Sequence, residues 1–182
     1  MKQIKLSLTT KDSIKKVVKR LEEIEKNLSS RNENFCQRLA EIGVHAAETT
    51  LATKGHGDSP REAAFNVEFV AGGEKVTAIL TITSTPRVLK DGRKYYPHLG
   101  WEFGAGIYYN NGHTNPKAGE LGMGVGTFPK QKHAFDDAWY YRDDAGNLHL
   151  SKGTEAIMPM HLAVVEMMNN IETVAKEVYS GL

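Results

Sequence analysis

The chain has little of several residue types, and each shortage excludes a class of protein. Its 182 residues include one cysteine, Cys36, which excludes an intramolecular disulfide and the usual multi-cysteine zinc sites. Lys and Arg number 23 and Asp and Glu number 22, so no broad positive field is available to neutralise duplex phosphates. The apolar stretches around 76–82 and 157–168 are too short or too interrupted to cross a bilayer. We therefore expect neither a sequence-specific nucleic-acid partner nor a membrane partner.

The remaining composition is that of an ordinary globular protein. Hydrophobic residues make up 40% of the chain and charged residues 25%, and the length suits one domain over 1–182. Within that domain we expect three parts. Residues 1–55 hold a strand and two helices, residues 60–154 hold antiparallel strands with a Gly-rich loop at 110–134, and residues 156–180 form a C-terminal helix.

The helices are predicted from apolar residues at three- and four-residue spacing. After a short alternating strand at 4–8, a first amphipathic helix ends at Ser29-Ser30; its apolar positions are Ile14, Val17, Val18, Leu21, Ile24 and Leu28. A second helix ends at Gly55 and has one apolar face and three small positions for close packing: Phe35, Leu39, Ile42 and Ala46, with Gly43, Ala47 and Ala52. The last helix opens at Met158-Pro159, with a predicted core stripe of Leu162, Val165, Met168, Ala175 and Val178.

The strands are grouped in the middle of the chain. Residues 65–69 alternate and 76–83 are rich in β-branched residues, which predicts a hairpin. Residues 101–109 are apolar and aromatic and are predicted as a strand, and 139–142 and 148–150 flank a turn-forming segment. Strands that follow one another predict an α+β fold. We expect an antiparallel sheet of about five strands, packed against two N-terminal helices and one long C-terminal helix.

Three kinds of chemistry are alternatives to a purely structural role. Seven histidines suggest a metal-dependent hydrolase or nuclease, whose best ligand set would be His98, His113 and His133 with Asp136 or Asp137; no histidine pair has the close helical spacing of a zincin. Residues 119–126 are Gly-rich but lack the Gly-Lys-Ser/Thr ending of a phosphate loop. A carbohydrate- or peptide-binding module would use Trp139 and Tyr141. No catalytic group, cofactor or resident metal is predicted, and the hydrolase remains the alternative.

Three stretches together carry a family resemblance. They are the helical segment 35–53, the segment Trp101-Glu-Phe-Gly-Ala-Gly106, and residues 154–160 at the start of the last helix. In this order they resemble the siphophage tail-component family of tail-completion and head–tail joining proteins, in its longer Gram-positive phage branch. The resemblance implies a non-enzymatic phage or prophage assembly protein at the head–tail junction or tail end. It also implies a homo-oligomeric ring that contacts neighbouring connector or tail proteins, located in the virion and, during assembly, in the host cytoplasm.

Two groups of residues are the candidate assembly and structural positions. The first combines the Gly-containing segment with the opening of the last helix: Trp101, Glu102, Phe103, Gly104, Gly106, Met158 and Pro159. The second lies in the loop 110–134, which is predicted to reach across a subunit boundary and to be anchored there by Leu121, Met123, Val125 and Phe128.

Overall fold

The computed structural model describes residues 11–55, 62–72, 75–88, 92, 94–107, 111–124, 133, 135–143 and 145–180. Within these residues the fold is α+β, with the helices α1 (Lys11–Lys54), α2 (Pro97–Phe103) and α3 (Pro159–Tyr179). The strands are β1 (Ala63–Gly72), β2 (Lys75–Ser84), β3 (Arg87–Val88), β4 (Lys94–Tyr95), β5 (Ala105–Gly106), β6 (Trp139–Arg142), β7 (Leu148–Ser151) and β8 (Gly153–Thr154). The strand predicted at 4–8 lies outside the described residues.

The N-terminal part is one helix, so the prediction of two helices was wrong. α1 is 44 residues long and passes through Ser29 and Ser30 without a break. Serine costs a helix only a few tenths of a kcal/mol per residue. A side-chain hydrogen bond from Arg31 Nε to Asn27 Oδ1, 3.0 Å long, spans the serine pair on the helix surface. None of the described helices is long and apolar enough to cross a membrane.

The strands form separate antiparallel pairs, so the predicted five-stranded sheet was also wrong. The pairs are β1–β2, β3–β4, β5–β8 and β6–β7. The two predicted hairpins are present, with Ala63 opposite Ser84 in one and Trp139 opposite Ser151 in the other. Of the strand predicted at 101–109, residues 105–106 are a strand and 108–109 lie outside the described residues. Residues 101–103 are helix instead, because Pro97 occupies the first turn of α2 and Gly104, at φ 70°, ends it. Each ribbon therefore packs by itself instead of extending a common sheet.

The core lies where α3 packs antiparallel against the second half of α1. Small side chains permit this approach: Ala47 and Ala163 are completely buried, and Leu51 is 1% exposed. At Gly43 a Cβ atom would lie 2.8 Å from Met167 Sδ of α3 and 3.1 Å from Leu80 Cδ2 of β2. Gly43 therefore lets the helix and the hairpin approach α1 at the same level. Ala52, predicted as another packing position, is exposed.

The hairpin β1–β2 places one face against α1. Burial alternates along β2, with Val76, Ala78, Leu80 and Ile82 partly buried and the intervening residues exposed. Cys36 of α1 lies against this strand, with its thiol sulfur 3.8 Å from the Val76 carbonyl oxygen. Burial raises the pKa of the Cys36 thiol, as expected for a thiol that packs against a strand.

The buried stripe of α3 differs from the predicted stripe. Ala163 is completely buried and Val174 is 2% exposed, whereas Val165 is 38% and Met168 65% exposed. The prediction was wrong for Val165 and Met168 because it centred the stripe on the largest apolar side chains. The contact with α1 instead buries Val174 and the small Ala163, and it brings Met167 against Gly43.

A matched pair of substitutions tests which face of α3 is buried. Val174→Asp should destabilise the fold by about 3 kcal/mol or more, since it buries a carboxylate without a partner. The melting temperature should then fall by roughly 10 °C. Val165→Asp should change it by only a few degrees, because that side chain reaches solvent. Circular dichroism melts of both variants measure the difference; equal losses would contradict the assignment of the faces.

Candidate functional site

Seven of the sequence-predicted residues meet where α3 begins. We call this region the α3 junction; it comprises residues 101–106, 114–115 and 154–160. The main chain of Trp101 forms one side of it, since its carbonyl oxygen accepts hydrogen bonds from the Ile157 and Met158 N–H groups at 2.9 and 3.0 Å. Met158 has a left-handed conformation with φ 55°, and Pro159 then occupies the first turn of α3. The two segments are therefore joined directly by main-chain hydrogen bonds.

The carboxylate of Glu102 caps α3 from a distant part of the chain. Its Oε2 accepts a hydrogen bond from the Met160 N–H at 2.8 Å, and its Oε1 accepts one from the His161 N–H at 3.0 Å. These N–H groups belong to the first turn of a helix, where no carbonyl of the helix itself can accept them. Met158 offers no side-chain cap. Glu102 is 7% exposed and thus supplies a buried negative charge at the positive end of the helix dipole.

The start of the loop is fixed to the same point. Asn115, 5% exposed, donates from Nδ2 to Glu102 Oε1 at 2.6 Å, and its Oδ1 accepts from the Lys117 N–H at 2.8 Å. Thr114 donates from its hydroxyl to the Phe103 carbonyl oxygen at 2.6 Å. Glu102 therefore binds the loop and α3 simultaneously.

Two glycines of the predicted segment are required because the main chain of residues 152–154 approaches them closely. A Cβ atom at Gly104 would lie 2.8 Å from the Thr154 carbonyl oxygen, and one at Gly106 would lie 2.6 Å from the Lys152 carbonyl oxygen. Both residues have positive φ angles, 70° and 68°, which side-chain-bearing residues rarely adopt. They allow β5 to pair with β8 directly beside the helix start.

The predicted loop anchors are only partly within the described residues. Leu121 is 61% exposed and Met123 is partly buried, whereas Val125 and Phe128 lie outside the described part of the chain. Asn115 and the buried Ala118 hold residues 111–124 in a series of turns, and sequence reasoning missed both. The Asn115-Pro116 pair was an available signal for a turn, but nothing in the sequence indicated that its side chain would reach Glu102.

The histidines of the alternative hypothesis are in different surroundings. His98 Nδ1 lies 2.8 Å from the Ser84 hydroxyl, and His113 is exposed. His133 bonds Asp136 at 2.7 Å and stacks on Trp139 with ring centroids 4.9 Å apart. Among the described residues no three His, Cys, Asp or Glu side chains are grouped closely enough to hold a metal ion.

The two aromatic residues of the binding-module hypothesis lie two positions apart on β6, on the same face of the hairpin β6–β7. Trp139 is partly buried against His133, and Tyr141 stacks on His149 with centroids 5.3 Å apart. His149 Nε2 lies 2.9 Å from Asp143 Oδ2. This hydrogen bond is the main cause that lowers the pKa of the Asp143 carboxyl, and the side-chain hydrogen bond from Asn147 is the next. Tyr141 thus has one ring face occupied by a histidine of its own hairpin.

Comparison with known proteins returns no match. No family model matches the chain, and neither a curated protein nor a solved structure does. The resemblance to the siphophage tail-component family stays a prediction.

Removal of the Glu102 carboxylate tests the capping role. Glu102→Ala should cost about 2–3 kcal/mol, because it leaves the Met160 and His161 N–H groups and the Asn115 amide without their buried acceptor. Glu102→Gln keeps one acceptor oxygen and should cost less. Glu155→Ala is the control, since that neighbouring carboxylate is exposed. Denaturant unfolding gives the stabilities, and hydrogen exchange at Met160 and His161 should accelerate selectively in Glu102→Ala; unchanged exchange would contradict the cap.

The surroundings of His98 predict a pH dependence of stability. Burial lowers the pKa of His98 below its usual value, so the unfolded chain takes up a proton at a higher pH than the folded protein does. Stability should therefore decrease as the pH falls below about 6.5, down to the folded-state pKa.

Melting temperatures at pH 7.5 and 5.5 measure this effect. The loss on acidification should be smaller in His98→Gln than in the parent protein, and His113→Gln should behave like the parent. An identical loss in all three proteins would exclude His98 as the cause.

Proposed function

We propose that this chain is a non-enzymatic virion assembly protein of a phage or prophage, acting at the head–tail junction or the tail end. It would form a homo-oligomer around the tail axis and contact neighbouring connector or tail proteins. The observation that carries the proposal is the amount of apolar surface that the chain leaves uncovered. Among the described residues nine hydrophobic side chains are buried, five of them alanines, whereas 21 large hydrophobic side chains are exposed. Surfaces of this kind mark sites of protein association.

The hairpin β6–β7 supplies one such surface. Tyr140 lies opposite Leu150, and on the same face Leu148 lies opposite Arg142. Tyr140 is 66%, Leu148 57% and Leu150 55% exposed. Within the described part of the chain these two strands pair only with each other, so each keeps an edge of backbone donors and acceptors on which a neighbouring subunit could add a strand.

The α3 junction supports the proposal in a different way. It fixes residues 111–124 to the helix start through Asn115, while Leu121 in the same segment is 61% exposed. An anchored base with an exposed apolar side chain presents a contact at low cost in ordering entropy, since the backbone at the base is already held. This is the arrangement that a joint between subunits needs.

Mass spectrometry of purified particles tests the location. Particles from cells that carry the gene should contain the chain in fixed stoichiometry after high-salt washing. The protein would then be in the virion, with a transient pool in the host cytoplasm. Absence from washed particles would contradict the proposal.

A substitution in the loop tests the contact itself. Leu121→Asp should leave the melting temperature within about 2 °C of the parent, because the side chain is exposed, and should reduce the yield of infectious particles at least about tenfold. Gly119→Asp is the matched control: it adds the same charge two residues away, where a new Cβ atom has no neighbour within 4 Å. Equal particle yields from both variants would exclude Leu121 from the interface.

A further inference from the structure

The first half of α1 carries an apolar stripe that the described part of the molecule leaves exposed. The hydrogen bonds between α1 and the end of α3 begin at Arg31 and Asn32, which bind the Val178 carbonyl oxygen at 3.0 Å and the Tyr179 hydroxyl at 2.6 Å. α3 ends at Tyr179, so α1 continues past it toward its own N-terminus for about 30 Å, from Lys11 to Ser30. Along this segment the stripe is 37–54% exposed at Ile14, Val18, Leu21, Ile24 and Leu28.

The stripe has the spacing of a coiled coil. Ile14, Val17, Leu21, Ile24 and Leu28 follow one another at intervals of three, four, three and four residues, which places them alternately at the a and d positions of a heptad. The positions on the far side of the helix are charged in both complete heptads: Lys15, Lys16, Lys19, Glu22, Glu23 and Lys26. A helix that merely packs on a globular core has a wider apolar face and does not require this regular alternation.

The charges beside the stripe select the partner and its direction. In a parallel coiled coil each g position faces the e position of the following heptad on the neighbouring chain. Here g is Arg20 and the facing e position is Glu25, so two copies of this chain are complementary at that site. Glu25 has no ion pair within the described residues, and Arg20 has an exposed bond to Glu23 that it can exchange. In an antiparallel pair g would face g, and Arg20 would not face Glu25.

The residues in the stripe also indicate the number of chains. Leucine occupies two of the three a positions, 21 and 28, with Ile14 at the third, and β-branched Val17 and Ile24 occupy d. Leucine at a with a β-branched residue at d favours three or four chains over two. Val18 at an e position widens the apolar seam, as a larger bundle requires.

We propose that residues 14–28 of α1 form a parallel coiled coil of three or four copies of this chain. The stripe ends where α1 begins to contact α3: the next d position is Arg31, which binds the C-terminal end of α3. The same face of α1 thus packs on α3 within the chain and on other copies beyond it. The inference deepens the proposed function, because it assigns the self-association of the assembly protein to one segment.

Site-directed crosslinking tests the register and the direction. In a Cys36→Ala background, Leu21→Cys places a thiol at an a position, where copies of a parallel in-register bundle bring equivalent residues together. Lys19→Cys, two residues away at an f position on the outside, is the matched control. Mild oxidation should crosslink the Leu21→Cys protein and leave the Lys19→Cys protein uncrosslinked. Equal crosslinking of both, or of neither, would overturn the proposal.

Analytical ultracentrifugation of the full chain tests the association itself. The parent should sediment as three or four copies of the 20.2 kDa chain. Leu21→Glu should weaken association about tenfold or more, because it buries like charges in one layer, and Lys19→Glu should not. Arg20→Glu should also weaken it, and Arg20→Glu with Glu25→Arg should restore it. A parent that stays monomeric, or a double variant that is not restored, would overturn the proposal.

The two proposals fail separately. A monomeric chain that is still a stable component of washed particles would overturn the coiled coil and leave the assembly function in place. A three- or four-copy oligomer that is absent from particles would do the reverse.

Discussion

The antiparallel contact between α1 and α3 is the interaction on which the other elements depend. It is close because small residues face each other, with Gly43 beside Met167 and with Ala47 and Ala163 completely buried. The hairpin β1–β2 packs on α1 at the same level, through Leu80. The ends of α3 are held as well, by Glu102 at its start and by Arg31 and Asn32 at its finish. Because α3 is about half as long as α1, the same contact also determines how much of α1 remains uncovered.

The start of α3 connects the core to the irregular part of the chain. The buried Glu102 carboxylate accepts hydrogen bonds from two N–H groups of the first turn of α3 and from the side-chain amide of Asn115. The base of the loop is therefore fixed relative to the helix. The strand pair β5–β8 also lies beside the start of α3, because Gly104 and Gly106 permit the close approach. Hydrogen bonds at the start of α3 thereby join the base of the loop to the helical core.

Local patterns predicted local structure well and tertiary structure poorly. The two hairpins and the Pro159 start of α3 were predictable, because alternation, turn residues and proline act over a few positions. The continuity of α1 through Ser29-Ser30 was not, since two serines cost less than the flanking helix gains. The helix at 97–103 was missed although Pro97 and Gly104 bracket it. The Glu102 cap could not be predicted, because it joins residues 58 and 59 positions apart. Val165 was misassigned because side-chain size does not decide which face is buried: the small Ala163 is buried and Val165 is exposed.

The position of α3 in the chain has a consequence for biosynthesis. The contacts of α3 with Gly43 and with Glu102 join residues made early to a helix that leaves the ribosome after them. Until residues 159–179 have emerged, α1 has no helix to cover its second half, and the loop base has no helix terminus to share Glu102 with. The nascent chain must therefore carry the α3-binding surface of α1 uncovered until residues 159–179 emerge, and a stop before α3 would release a polypeptide that lacks the α1–α3 contact. Such fragments are substrates for chaperones and proteases, so chains in which α3 has been made are retained preferentially.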